Sequence, residues 1–191
     1  AGTGAFVHAM QQKSWKVTGL EPDAATRDKA FENYKLNLQS TDNIYNLPEK
    51  EYEVITMWHV LEHVHDLKPY LHQCFKCLKQ NGRLIIAVPN YTSFDASYYK
   101  KYWAAYDLPR HLYHFSPKSM AILLKEMGFE IVALKPMWYD SFYVSLLSEK
   151  YKQSGKLGSL LAGCIGLISN LMAIRDASKA SSIIYEVKKA N

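Results

Sequence analysis

Little in this sequence of 191 residues reads as a staple or an address. Its three cysteines, Cys74, Cys77 and Cys164, are an odd set with no second Cys-x-x-Cys pair, which excludes a disulfide framework and a zinc knuckle. Cys74 and Cys77 stand one helical turn apart in an amphipathic pattern and read as buried free thiols in a reducing cytoplasm. The lysines are scattered and the net charge of +5 contains no dense basic run, so no nucleic-acid partner is expected. No basic start followed by an apolar run opens the chain, which argues against a secretory signal. With 48% hydrophobic and 21% charged residues the composition is that of a folded protein, and the length suits one domain over 1–191.

What is present alternates between helix and strand. Phe6, Val7, Ala9 and Met10 give a helical face over 5–12, and Lys16 to Leu20 reads as a strand ending at Glu21. Pro22 and Asp23 open a helix to about Tyr34, and 35–39 is a weak strand. A polar, turn-rich stretch over 40–50 precedes the β-branched run Glu53 to Trp58, a buried strand. A short helix over 60–64 and a longer one over 67–79, stopped by Asn81-Gly82, lead to the apolar strand Arg83 to Val88. Residues 91–115 are irregular and crowded with tyrosine, which argues for an ordered, functional segment. Ser116-Pro117 starts a helix ending near Gly128, and strands follow over 130–134 and 181–187. Residues 139–178 read as a helical insertion before that last strand. Within it, 157–174 is apolar enough to suggest a core or interface helix, self-association or contact with a membrane surface, while its glycines, serines and Asn170 argue against a membrane span. The alternation predicts an α/β fold with a mostly parallel sheet flanked by helices, and ligands beyond the carboxyl ends of its strands.

Gly2 and Gly4, one residue apart and followed at once by a helix, let backbone approach a ligand near unpaired N–H groups. Val7 stands where a dinucleotide fingerprint asks for Gly or Ala, which disfavours a nicotinamide cofactor. Glu21, at the end of the next strand, is placed to accept two hydrogen bonds from a ribose diol. His59, Glu62 and His63 share one helical face if their segment is helical, a pattern open to metal ligation, base catalysis or simple bracing of the turn. His111 and His114 flank Tyr113 in the aromatic stretch; either could line an acceptor pocket or deprotonate a hydroxyl, and Arg110 could bind an anionic group.

Taken together, several segments resemble a known family. Ala-Gly-Thr-Gly at the start resembles the tail of motif I of class I S-adenosylmethionine-dependent methyltransferases, and Val-Thr-Gly-Leu-Glu-Pro-Asp resembles motif II. Tyr-Glu-Val-Ile-Thr-Met-Trp-His-Val-Leu-Glu-His-Val is similar to the strand-four signature of the ubiquinone-biosynthesis type of small-molecule methyltransferases. Asn-Gly-Arg-Leu-Ile-Ile-Ala-Val-Pro-Asn resembles the strand-five motif, and Asp-Leu-Pro-Arg-His-Leu-Tyr-His-Phe-Ser-Pro resembles a segment of the same group. The likeness runs from the first residue to about Val132 and departs at the start, where the family's first strand is absent.

The resemblance implies a Rossmann-like methyltransferase fold and an enzyme that uses S-adenosylmethionine to methylate a small molecule, at oxygen on this reading. It further implies that Gly2, Thr3 and Gly4 face the methionine part of the cofactor, that Glu21 binds the ribose hydroxyls, and that Pro22 flanks the adenine. Asp42 and Ile44 lie where the family contacts the adenine ring, and Trp58 and His59 at the lip facing the sulfonium. His59, His63 and His111 are the catalytic candidates. A divalent metal on His59, Glu62 and His63 follows only from a related Glu-x-x-Glu-His version. A non-catalytic cofactor-binding or interaction module that uses 157–174 is the alternative.

Overall fold

The computed structural model describes residues 1–190, which pack as two compact units, the first over Ala1–Pro48 and the second from Glu49 on.

In the first unit, helix α1 (Ala5–Gln12) and helix α2 (Ala24–Tyr34) enclose a small core of Val7, Ala30 and Leu36, with Val17, Tyr34 and Leu38 packed against it. Asp23 caps α2 by accepting from the Thr26 N–H at 2.6 Å, which satisfies a donor the helix cannot bond itself. The strands expected over 16–20 and 35–39 shrink to one parallel bridge, Leu20 to Gln39. Lys35 is the cause on one side: it takes a left-handed conformation (φ 57°) to close α2, so extended chain begins only after it. The polar stretch that follows winds into a 3-10 turn, Thr41–Asn46.

In the second unit a four-stranded sheet, β1 (Tyr52–Trp58), β2 (Leu78–Pro89), β3 (Phe129–Pro136) and β4 (Ser182–Lys189), has the order β1-β2-β4-β3. The expectation of a mostly parallel sheet is corrected. Only β1 and β2 run parallel, while β4 lies between β2 and β3 and opposes both. The reason is the point of entry: β4 begins at Ser182 opposite Pro89, where β2 ends, and so has to run back along it.

Helix α3 (Leu67–Cys77) stops at Cys77, short of 79, and Asn81-Gly82 lies inside β2 instead of capping the helix. The pairing slips there, from Tyr52–Leu78 to Val54–Arg83, and a Cβ on Gly82 would sit 3.0 and 3.1 Å from the Lys79 and Tyr52 carbonyl oxygens. Only glycine fits that bulge. Cys74 and Cys77 are buried on α3 and form no disulfide, and Gln73 Nε2 donates to Cys77 Sγ at 3.4 Å.

The aromatic stretch is folded. Helix α4 (Phe94–Tyr99) and two 3-10 turns, Lys100–Tyr102 and Ala104–Tyr106, bury Tyr99 and Trp103 in a cluster with Val144 and Ile165. Helix α5 (Pro117–Glu126) starts with a reciprocal Ser116–Ser119 capping box. Helices α6 (Asp140–Lys152) and α7 (Gly158–Arg175) pack on each other before β4.

Candidate functional site

In the first unit the structure brings Glu21 to the glycine turn. The Gly2 N–H donates to Glu21 Oε2 at 2.7 Å, the Ala1 amino group reaches the same oxygen at 3.0 Å, and the Asp23 N–H reaches Oε1 at 3.2 Å. Burial alone would raise the Glu21 pKa; hydrogen bonds from the chain's first amino group, Gly2 and Asp23 outweigh it and hold the carboxyl below its ordinary value. An ionised carboxylate is the form that accepts from a diol.

The two glycines serve different ends. Gly4 (φ 86°) precedes α1, and a Cβ there would come 2.8 Å from Leu36 Cδ1 and 3.0 Å from the Ala30 methyl, so packing requires it. Gly2 (φ 56°) has open space where a Cβ would be, which leaves its backbone approachable. Val7, the residue that departs from the dinucleotide fingerprint, is core.

Thr3 is exposed within the turn, and Pro22 is exposed beside Glu21. Arg27, which sequence reasoning passed over, donates to both the Glu21 and the Pro22 carbonyls at 2.8 Å and fixes the turn. Its only signal was a position one turn into α2. Asp42 accepts from the Ser40 hydroxyl at 3.4 Å, and Ile44 is buried. A cleft of this unit is lined by Val7, Gln11, Thr18, Asn37 and Gln39, none of them named for the cofactor.

In the second unit β1 ends at Trp58, which is exposed, and His59 follows with φ 52°, a conformation non-glycine residues rarely adopt. That turn of the backbone lets the imidazole meet two carboxylates, Glu62 Oε1 from Nδ1 at 3.1 Å and Asp140 Oδ2 from Nε2 at 2.9 Å. Burial would lower the His59 pKa, but hydrogen bonds to Asp140 and Glu62 and their charges raise it to about 10. His59 is therefore an imidazolium at neutral pH with both ring nitrogens occupied. Asp140, far along the chain at the start of α6, carries no local sequence signal for this contact. The residues that the structure gathers as a possible metal site are Glu62, His63 and His111.

Glu62 sits in a 3-10 turn, Leu61–His63, and is fully buried. His59 occupies Oε1, while Oε2 has no hydrogen-bond partner among the described residues. His63 and His111 come beside it with ring centroids 4.7 Å apart. His63 Nδ1 donates to the Arg110 carbonyl at 2.9 Å and His111 Nδ1 to the Ala105 carbonyl at 2.8 Å. Burial pushes the His111 pKa down, and the neighbouring His63 adds to this; the Ala105 hydrogen bond and the charges of Glu62 and Asp107 oppose without reversing it. One ligand atom from each of Glu62, His63 and His111 lies within 4.8 Å of the others. His114 turns away from that cluster and donates from Nε2 to the Tyr106 carbonyl at 2.9 Å, and Arg110 pairs with Asp107 at 2.6 Å.

Comparison with known proteins gives consistent results. A family model described as a methyltransferase domain matches residues 1–134. A demethylmenaquinone methyltransferase from Thermotoga maritima is 25% identical over 163 residues, covering 73% of this chain and 71% of that protein. Among solved structures, a SAM-dependent methyltransferase from Thermotoga maritima superposes with a TM-score of 0.64 at 18% identity, over 98% of this chain and 78% of the other. One from Archaeoglobus fulgidus gives 0.63 at 17% identity, over 98% and 82%. At these identities the structural likeness speaks to the fold, which is Rossmann-like.

Proposed function

Because this chain belongs to the methyltransferase domain family and is an S-adenosylmethionine-dependent enzyme acting on a small molecule, we propose that its acceptor atom is an oxygen, deprotonated by His111. The observation that supports this reading is the His111 ring: Nδ1 is tied to the Ala105 carbonyl, Asp107 Oδ2 lies 3.8 Å from Nε2, and one ring nitrogen lies within 4.8 Å of ligand atoms of Glu62 and His63.

When bound, S-adenosylmethionine supplies a methyl carbon on a sulfonium, and an acceptor oxygen that takes it in line leaves S-adenosylhomocysteine. The protein has two tasks on this reading. In the first unit, Glu21 accepts the ribose hydroxyls, and the open backbone at Gly2, with Thr3 and Gly4, faces the methionine part. Pro22, Asp42 and Ile44 border the adenine. In the second unit His111, beside His63, takes the proton of an acceptor hydroxyl, which leaves that oxygen as the more nucleophilic oxyanion. The residues 91–115 form the acceptor side of a single methyltransferase domain over 1–191. The relative's name gives demethylmenaquinone, whose missing methyl belongs on a ring carbon, as the acceptor to assay beside phenolic ones, since methylation of it would speak against oxygen.

The test has two arms. Glu21→Ala should abolish calorimetric binding of S-adenosylhomocysteine; unchanged affinity would overturn the donor half. His111→Gln should lower O-methyl product formation by roughly 10²- to 10⁴-fold without weakening S-adenosylhomocysteine binding. Product methylated at carbon or nitrogen, identified by NMR, would overturn the oxygen reading.

A second reading rests on the unpartnered Glu62 Oε2. Glu62, His63 and His111 together make a carboxylate and two imidazoles with ligand atoms within 4.8 Å of one another, a donor set that suits a divalent transition ion, and each imidazole is fixed by a backbone carbonyl as metal-bound histidines are. Such an ion would polarise an acceptor hydroxyl and make the base unnecessary. Activity that survives exhaustive chelation excludes this reading; activity lost to chelation and restored by one ion replaces His111 as the base.

A further inference from the structure

We propose that the outward face of the α6–α7 hairpin docks on an anionic lipid bilayer. The inference goes beyond methyl transfer and does not depend on it.

Apart from Val144 and Ile165, which join the buried aromatic cluster, the two helices bury mostly small residues. Helix α6 turns Ser141, Ser145, Ser148 and Glu149 inward and leaves Phe142, Tyr143 and Leu146 exposed. Helix α7 buries small residues such as Ala162, Gly166 and Ala173, and its long side chains point out: Leu160 is 70% exposed and Ile174 67%, with Leu167 and Leu171 between them. Those four recur at 160, 167, 171 and 174, one stripe of the helix. An exposed apolar stripe of this length marks a surface that is covered by something.

Charge identifies the occupant. From Phe94 to Tyr106 and from Tyr139 to Arg175 the acidic residues are Asp95, Asp140 and Glu149. Asp95 and Glu149 are buried, and Asp140 is held by His59. Lys100, Lys101, Lys150, Lys152 and Arg175 of the same segments are exposed. The 3-10 turn carrying Lys100 and Lys101 packs against α6, and Lys152, 3.7 Å from Glu149, lies over the rings of exposed Tyr98 and buried Tyr99 at 5.3 and 5.6 Å, so lysines and Tyr98 gather at that end of the hairpin. A second copy of these segments offers the lysines no exposed carboxylate to meet. A bilayer with anionic headgroups meets the lysines with phosphate and the leucines with acyl chain, and suits tyrosines at the boundary. Helix α7 would lie in the plane of the surface, because its inner face is fixed to the protein, Ser169 donating to buried Asp95 at 2.8 Å.

The test is co-sedimentation of the full chain with vesicles of phosphatidylcholine alone, and with phosphatidylglycerol as about a third of the lipid. Binding to the anionic vesicles only, weakened by salt, is expected. Leu160→Ser/Leu167→Ser and Lys101→Glu/Lys150→Glu should each reduce it roughly tenfold. All four sites are exposed, so both variants should keep the wild-type melting profile and S-adenosylhomocysteine affinity. Absence of vesicle binding, or equal binding by both variants, overturns the proposal. Light scattering that shows a dimer lost in Leu160→Ser/Leu167→Ser, without vesicle binding, overturns it in favour of a second copy.

Discussion

At His59 the backbone takes a left-handed turn directly after β1, and one imidazolium then joins Glu62 of its own segment to Asp140 at the head of α6. Its pKa of about 10, against an ordinary 6.5, sets the sign of a pH effect. The folded state keeps the proton where the unfolded chain has lost it, so the stabilisation is whole below pH 6.5 and is lost as pH rises toward 10. The ring is 33% exposed, so solvent screening limits the effect to roughly 1 kcal/mol. The thermal midpoint of the wild type should therefore fall between pH 7 and pH 10 by more than that of His59→Gln; equal slopes would mean that the bridge is not made. Gly4 makes a second prediction at this scale. Gly4→Ala meets both the positive φ and the contact with Leu36 and Ala30, and should cost about 1–3 kcal/mol in urea melts, whereas Gly2→Ala meets only the φ. What was legible here was local. Glu21 beside the glycine turn, the Asp23 cap and the Ser116 cap are set by neighbours within a few residues or by the end of a strand. Asp140 and the Glu62–His63–His111 cluster were not legible as units, because their members come from separate segments and only the fold sets the distances.

At the scale of elements, the helices were found where a 3.6-residue period or a capping residue announced them, α2 and α5 most closely. The two short strands of the first unit were not, because five polar-alternating residues cannot hold a ladder once Lys35 has been used to close a helix. The aromatic stretch read as irregular because its order comes from tertiary contacts. Asp95 is the centre of them: it accepts from Trp103 Nε1 at 2.7 Å, Ser169 at 2.8 Å and Ser181 at 2.7 Å, tying α4, α7 and the approach to β4 together. Asp95→Ala would leave three buried donors unpaired and should destabilise the protein by about 3 kcal/mol or more, read as the shift in a urea midpoint. Ser181→Ala, which removes one donor and leaves two, should cost only about 1 kcal/mol. Similar losses for the two would show that the carboxylate is hydrated and not shared.

At the scale of the whole molecule, the α/β class followed from alternation, but the strand directions did not, since a period of two along β4 says nothing about which way it runs. The order β1-β2-β4-β3 has a physical consequence. Strand β3 has no ladder to β2; the two are joined only through β4, which ends at Lys189. Half of the sheet is therefore held by contacts of long sequence separation, of the kind that form late because their loop-closure entropy comes first. Ile183 and Val187 are fully buried on that strand, Ile183 facing Val88 and Pro136 across its two ladders. Ile183→Ala should cost about 2–5 kcal/mol, and a chain cut after Ala180 should lose the cooperative melt of the second unit altogether, because β3 then has no strand to pair with. Near-ultraviolet circular dichroism, which reports the packing of Trp103 and the tyrosines around it, is the measurement that decides. A truncated chain with a native-like near-ultraviolet spectrum and an unchanged melting midpoint would show that α6 and α7 hold the unit without β4.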